Sequence, residues 1–148
     1  MPMPDKIIIK DKWGEELCVY RVRPGRSGLA GADLEGQVLH EAALEGENLR
    51  GACLYWAILF QANLRAADLS DANLRGANLK EANLEGANLR GANLGPDNLG
   101  GSTDICGANL ARADLSTAIL DQAEYDENTV FPEGFDPSGH GMVKVGED

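Results

Sequence analysis

The sequence predicts an all-β fold: a quadrilateral β-helix with four five-residue units in each coil of about twenty residues, and about 4–5 coils. Three observations predict it. Leucine recurs every five residues at Leu34, Leu39, Leu44, Leu49, Leu54, Leu59, Leu64, Leu69, Leu74, Leu79, Leu84, Leu89, Leu94 and Leu99. A small residue stands two before most of these, as at Ala32, Ala52, Ala72 and Ala92, with Gln37, Glu47 and Asp97 as exceptions. Asn or Asp usually stands between the two, as at Asn63, Asp68, Asn73 and Asn78.

A period of five suits neither an α-helix, at about 3.6 residues per turn, nor a flat strand, at about 2. It suits a short extended segment followed by a tight turn. The leucine and the alanine two before it then face the same side, inward. Glycine follows many leucines by two, as at Gly36, Gly46, Gly51, Gly76, Gly86 and Gly91, where a turn takes positive φ. Other units carry Glu41, Gln61, Asp71 or Glu81 at that place, which predicts that only some corners need positive φ.

After Leu99 the apolar centres are Ile105, Leu110, Leu115, Leu120 and Tyr125, so one residue is extra. A bulge at Gly100 and Gly101 would keep the interior in phase. The expected interior stacks are 34/54/74/94/115, 39/59/79/99/120, 44/64/84/105/125 and 49/69/89/110. Leu34, Leu54, Leu74 and Leu94 form one core column, and Leu39, Leu59, Leu79 and Leu99 the next. At about 4.8 Å per rung the solenoid would stand roughly 20–25 Å tall.

Open solenoid ends need covering. Residues 1–31 read as an N-terminal cap: a β-hairpin of residues 6–10 and 16–22 around a turn at residues 11–14, then the linker "RPGRSG". Residues 32–125 are the repeat region. Residues 126–148 bring Phe131 and Phe135 among prolines and glycines, which suits an irregular plug followed by an acidic tail.

The run "ANLRGANLKEANLEGANLRGANL" resembles the pentapeptide-repeat family. The resemblance covers residues 32–125 and implies a right-handed quadrilateral β-helix. It implies no catalytic activity and no cofactor. A minority of the family mimic DNA and bind type II topoisomerases such as gyrase. The tail "FPEGFDP" resembles those of cyanobacterial members.

Charge and composition narrow the function further. The formal net charge is −11, which argues against binding nucleic acid through released counterions. Residues 1–31 carry +2, residues 32–120 carry −6 and residues 121–148 carry −7. Cys18, Cys53 and Cys106 are odd in number and lack metal-ligand spacing, so free thiols in a reducing compartment are expected. The start lacks the apolar core of a signal peptide, and no stretch has the length of a membrane span, so a soluble cytoplasmic protein is expected.

No nucleophile-elbow, phosphate-loop or dinucleotide fingerprint occurs. His40 follows a central leucine and should face solvent, and His140 lies in the tail. The carboxylates of residues 121–128 lack calcium-loop spacing. The Asn/Asp row suits local hydrogen bonds and stacked amides along the coil wall. No catalytic, cofactor-binding or metal-binding residue is therefore expected.

The one anomaly is a cluster at Tyr55, Trp56, Ile58 and Phe60, with Val38 one coil above Ile58. This patch is expected to lie under the N-terminal hairpin, to serve a protein partner or a homodimer, or to form a small-molecule groove. The function expected is a non-catalytic scaffold or interaction protein, monomeric or homodimeric. The alternatives are a homodimeric module using Tyr55, Trp56 and Phe60, and an acidic DNA mimic directed at gyrase. Against mimicry stand the leucine centres, the charge concentrated in the tail, and the expected lack of projecting loops.

Overall fold

The computed structural model describes residues 6–22 and 24–146. Residues 1–5 of the expected cap and residues 147–148 of the expected tail lie outside the described residues. The repeat region is a β-helix whose rungs pair in parallel. The first wall bridges Asp33, Cys53, Asn73, Asn93 and Ile119; the second Val38, Ile58, Asn78, Asp104 and Glu124. The third bridges Ala43, Asn63, Asn83, Asn109 and Val130; the fourth Asn48, Asp68, Asn88 and Asp114.

Each unit closes its corner with one bond, as the Ala57 N–H donates to the Leu54 carbonyl at 2.9 Å. The residue two after the centre takes φ near 60–70° whether or not it is glycine; Glu41, Gln61, Ala66, Asp71, Glu81, Arg112, Thr117 and Gln122 all do so. The expectation that only some corners need positive φ is therefore corrected. This geometry matches a type II turn, which demands positive φ at its third residue. Left-handed backbone costs a non-glycine residue about 1 kcal/mol, and the rung bonds on either side of each corner offset that cost.

Leu34, Leu39, Leu54, Leu59, Leu74, Leu79 and Leu94 are buried, as are the alanines two before all of them except Leu39, which follows the exposed Gln37. Leu29 is buried too, and its N–H donates to the Asn48 carbonyl, so the coil begins earlier than residue 32. The Asn and Asp side chains act locally: the Asn63 and Asn78 Oδ1 atoms accept the N–H of the residue two further on.

The interior register after Leu94 differs from the expected one. Leu99 is 83% exposed. Bridged partners lie twenty residues apart above the break, as Asn63 and Asn83, but twenty-six apart across it, as Asn78 and Asp104. The surplus is therefore a whole unit plus one residue, and it is expelled as a loop over residues 95–101. Ile105, 1% exposed, takes the place expected for Leu99. The columns continue as 79/105/125, 84/110, 89/115 and 94/120. A buried leucine column tolerates no phase error, so the extra chain leaves the coil altogether.

The ends are covered differently. Strands β1 (Lys6–Lys10) and β2 (Glu16–Arg21) form an antiparallel hairpin. Ile9 is buried, and Ile7, Leu17, Cys18 and Tyr20 pack on the leucine core. The hairpin is tied to the first coil by Ala43 N–H to the Lys10 carbonyl at 2.7 Å and Lys12 N–H to the Glu41 carbonyl at 3.0 Å. At the far end Phe131 lies against Tyr125 and Phe135, and Phe135 stacks on His140 at 4.5 Å. Strand β4 (Val143–Lys144) then pairs in parallel with β3 (Glu124–Tyr125), adding a rung to the second wall.

Leu74 is fully buried between Leu54 and Leu94. Leu74→Asp should cost more than the roughly 2–5 kcal/mol of a Leu→Ala cavity, because the carboxylate finds no partner. Thermal unfolding followed by circular dichroism should show a clearly lower midpoint; an unchanged midpoint would refute this column.

Candidate functional site

The aromatic cluster sits on the corner between the first and second walls. Tyr55 follows the inward Leu54, so its ring points out; Trp56 occupies the corner itself at φ 60°. Their rings lie 4.6 Å apart. Beneath Trp56 the next corner is Gly76, where a Cβ would come within 2.6 Å of the indole Cδ1. Only glycine leaves room there for the indole.

The sequence had suggested the hairpin as the cover for these rings; the hydrogen bonds that reach Tyr55 and Trp56 come from the expelled loop. Trp56 Nε1 donates to Asp97 Oδ2 at 2.7 Å. The Asn98 N–H donates to the Tyr55 hydroxyl at 3.1 Å. The Arg75 guanidinium lies 5.7 Å from the Tyr55 ring centre and donates from Nε to the Pro96 carbonyl and from Nη2 to Asn98 Oδ1, both at 2.9 Å. Asp97 organises the loop, its Oδ1 accepting the N–H groups of Leu99 and Gly101. The end of the solenoid exposes a whole coil of leucines, so the hairpin buries more apolar surface there than on the flank.

The loop's base is buried. Thr103, 0% exposed, accepts the Gly76 N–H at 3.0 Å and donates to the Leu74 carbonyl at 2.9 Å. The corner N–H above it has a regular partner, since Trp56 N–H meets the Arg75 carbonyl. Thr103 replaces that partner where the loop diverts the chain.

The covering is partial. Tyr55 is 9% exposed, but Trp56, Ile58 and Val38 are 42%, 38% and 49% exposed, and Leu99 tops the loop. Phe60 is half-buried. Sequence reasoning missed Asp97, Asn98, Leu99, Arg75 and Thr103 as partners of the patch. One signal was available: Asp97 stands where an inward alanine belongs, and a carboxylate there would be buried unpaired. The expected lack of projecting loops is likewise corrected.

Cys106 and Cys18 sit where burial disfavours the thiolate. Burial, followed by the Asp104 carboxylate, pushes the Cys106 thiol up to about 12, and burial also raises Cys18. All three cysteines are unpaired. Asp33, Glu35 and Cys53 bring one ligand atom each within 4.8 Å of one another. Three exposed or half-exposed donors fall short of the four that a structural zinc site takes, and we assign no metal there. His140 has a structural place, with Nδ1 2.8 Å from the Asp136 carbonyl.

The pentapeptide-repeat profile matches residues 29–65 and 57–95, with eight copies of the repeat. Among solved structures, the pentapeptide-repeat protein Rfr23 of the cyanobacterium Cyanothece 51142 is 34% identical at a TM-score of 0.63, over 83% of this chain and 77% of that one. AT2G44920, a pentapeptide-repeat protein from the Arabidopsis thaliana thylakoid lumen, is 27% identical at 0.61, over 68% and 66%. HetL of Nostoc sp. strain PCC 7120, involved in heterocyst differentiation regulation, is 32% identical at 0.55, over 77% and 58%. No curated protein matches the sequence. The chain belongs to the pentapeptide-repeat family.

The hydrogen bond from Trp56, then that from the Gly101 N–H, holds the Asp97 carboxyl below the ordinary 3.8. A depressed native pKa means that Asp97 stabilises the closed loop above that ordinary value and ceases to do so as pH falls through the native one. In a Trp13→Phe background, Trp56 emission should therefore shift to the red in an acid step centred below pH 3.8. Asp97→Ala should give the shifted emission already at neutral pH, with far-UV dichroism preserved. An acid step that persists in Asp97→Ala would refute this role.

Proposed function

We propose that this protein is a non-catalytic scaffold that binds a protein partner through the corner formed by Val38, Tyr55, Trp56, Ile58 and Phe60 together with the tip of the 95–101 loop. The observation that carries the reading is the exposure of Trp56 on the loop-clamped corner, of Val38 and Ile58 on the wall that follows it, and of Leu99 in the loop itself. Apolar side chains on such a corner gain most from a partner that removes them from water. The loop is already ordered by Asp97 and Arg75, so docking need not bear its ordering entropy. A right-handed quadrilateral coil provides the rigid support, and the three free thiols suit a reducing, cytoplasmic setting. Among the described residues, no helix is long and apolar enough to cross a membrane.

The test compares full-length protein with Ile58→Glu and Leu99→Asp in affinity capture from the native lysate, with light scattering on each. A partner retained by the parent protein and lost by both variants is expected, with unfolding midpoints unchanged. A parent dimer that both variants dissociate would turn the corner into a self-assembly surface. Equal capture by all three would remove it as a binding site.

The second reading, DNA mimicry against gyrase, draws on the net charge of −11. The charge is concentrated in residues 121–148, not spread as a phosphate-like stripe along the coil. Micromolar protein is therefore expected to leave gyrase supercoiling unchanged. Inhibition that weakens with salt would reverse the order of the two readings.

A further inference from the structure

The four walls end at different heights. The second wall gains a rung from β4, whereas the fourth stops at Asp114. Asp114 itself is satisfied from above: its N–H donates to the Ala87 carbonyl at 2.9 Å and its carbonyl accepts from the Leu89 N–H at 2.8 Å. The alternation of a parallel ladder turns the Leu115 N–H and the Ala113 carbonyl the other way, toward the missing rung. Among the described residues neither group has a hydrogen-bond partner.

The chain returns twenty residues later without pairing. Pro132 has no N–H to offer, and the turn from the Pro132 carbonyl to the Phe135 N–H at 3.1 Å carries the backbone past the wall. The aromatic stack of Phe131, Phe135 and His140 closes the interior but not the wall. A cleft of about 370 Å³ remains between residues 113–116 and residues 132–135.

We propose that this cleft takes an extended, basic segment of a partner protein as the absent rung. One residue set opposite Asp114 in parallel register donates to the Ala113 carbonyl and accepts from the Leu115 N–H, repeating what Asp114 does one rung above. This is β-strand addition to an open edge. Rung alternation turns the residues on either side of it inward, onto a core already filled by Phe135, so those residues must be small. The central residue points outward beside Asp114 and Glu133, and residues 121–148 carry −7 in all. That charge selects lysine or arginine. It also disfavours a second copy of the same acidic end.

The probe is the peptide acetyl-Lys-Ala-Lys-Ala-Lys-amide, titrated into the full ¹⁵N-labelled chain. The Leu115 amide resonance should move, and its hydrogen exchange should slow by about tenfold or more at saturation. Methylating the backbone nitrogen of the central lysine removes the N–H that donates to the Ala113 carbonyl and should weaken binding by about tenfold. Glu133→Lys, on the exposed rim, should weaken it while leaving the spectrum elsewhere intact. A Leu115 amide unmoved at millimolar peptide overturns the proposal. So does equal binding of the methylated peptide, which would reduce the effect to charge. Protection of Leu115 that rises with protein concentration alone would make the occupant a second copy and overturn it as well.

Discussion

The structure depends on one constraint: every five residues the chain must turn a corner and still meet the rung below. The corner bond, such as that from Ala57 N–H to the Leu54 carbonyl, sets the turn. The turn sets positive φ at its third residue, and the rung bonds hold that angle even in Glu41, Trp56 or Arg112. Leucine fills the interior because the geometry leaves one large inward side chain per corner, with a small one two residues before.

The same constraint governs extra chain. A wall cannot absorb an extra residue without turning every later side chain out of phase, so surplus chain is taken up between walls. The surplus is expelled whole, and a hydroxyl mends the break. Thr103 accepts the Gly76 N–H and donates to the Leu74 carbonyl. At the second irregularity, where Asn109 bridges Val130 twenty-one residues on, Thr129 shares the Gly107 N–H with Asp126 Oδ1 and donates to the Ile105 carbonyl. In both places a threonine serves a corner glycine and the centre residue two before it. A corner N–H left unpaired so close to the core would cost about 1–3 kcal/mol, and a threonine Oγ can both accept and donate.

The expelled loop turns a structural repair into a surface. Its Asp97 meets Trp56 and its Asn98 meets Tyr55, so the unusual aromatics and the unusual loop explain one another. Trp56 on a strained corner is tolerated because its indole rests on Gly76 and is held by Asp97. Leu99 is left exposed at the tip, as Val38 and Ile58 are on the second wall.

The five-residue beat was enough to determine the β-helix, the inward leucines and the twenty-residue rung spacing, because a local turn repeated many times leaves a periodic trace in the sequence. The aromatic cluster was also legible, as a break in the polarity of the outward positions. Which segment would meet that cluster was not. Tyr55 and Asn98 are forty-three residues apart, and their contact follows from the number of rungs between them, which shifts with every inserted residue. The true slip at residues 95–101, the partner of the hairpin and the open rung at Leu115 were likewise decided only by the tertiary structure. They depend on which wall ends where, and periodicity carries no record of that once the repeat stops.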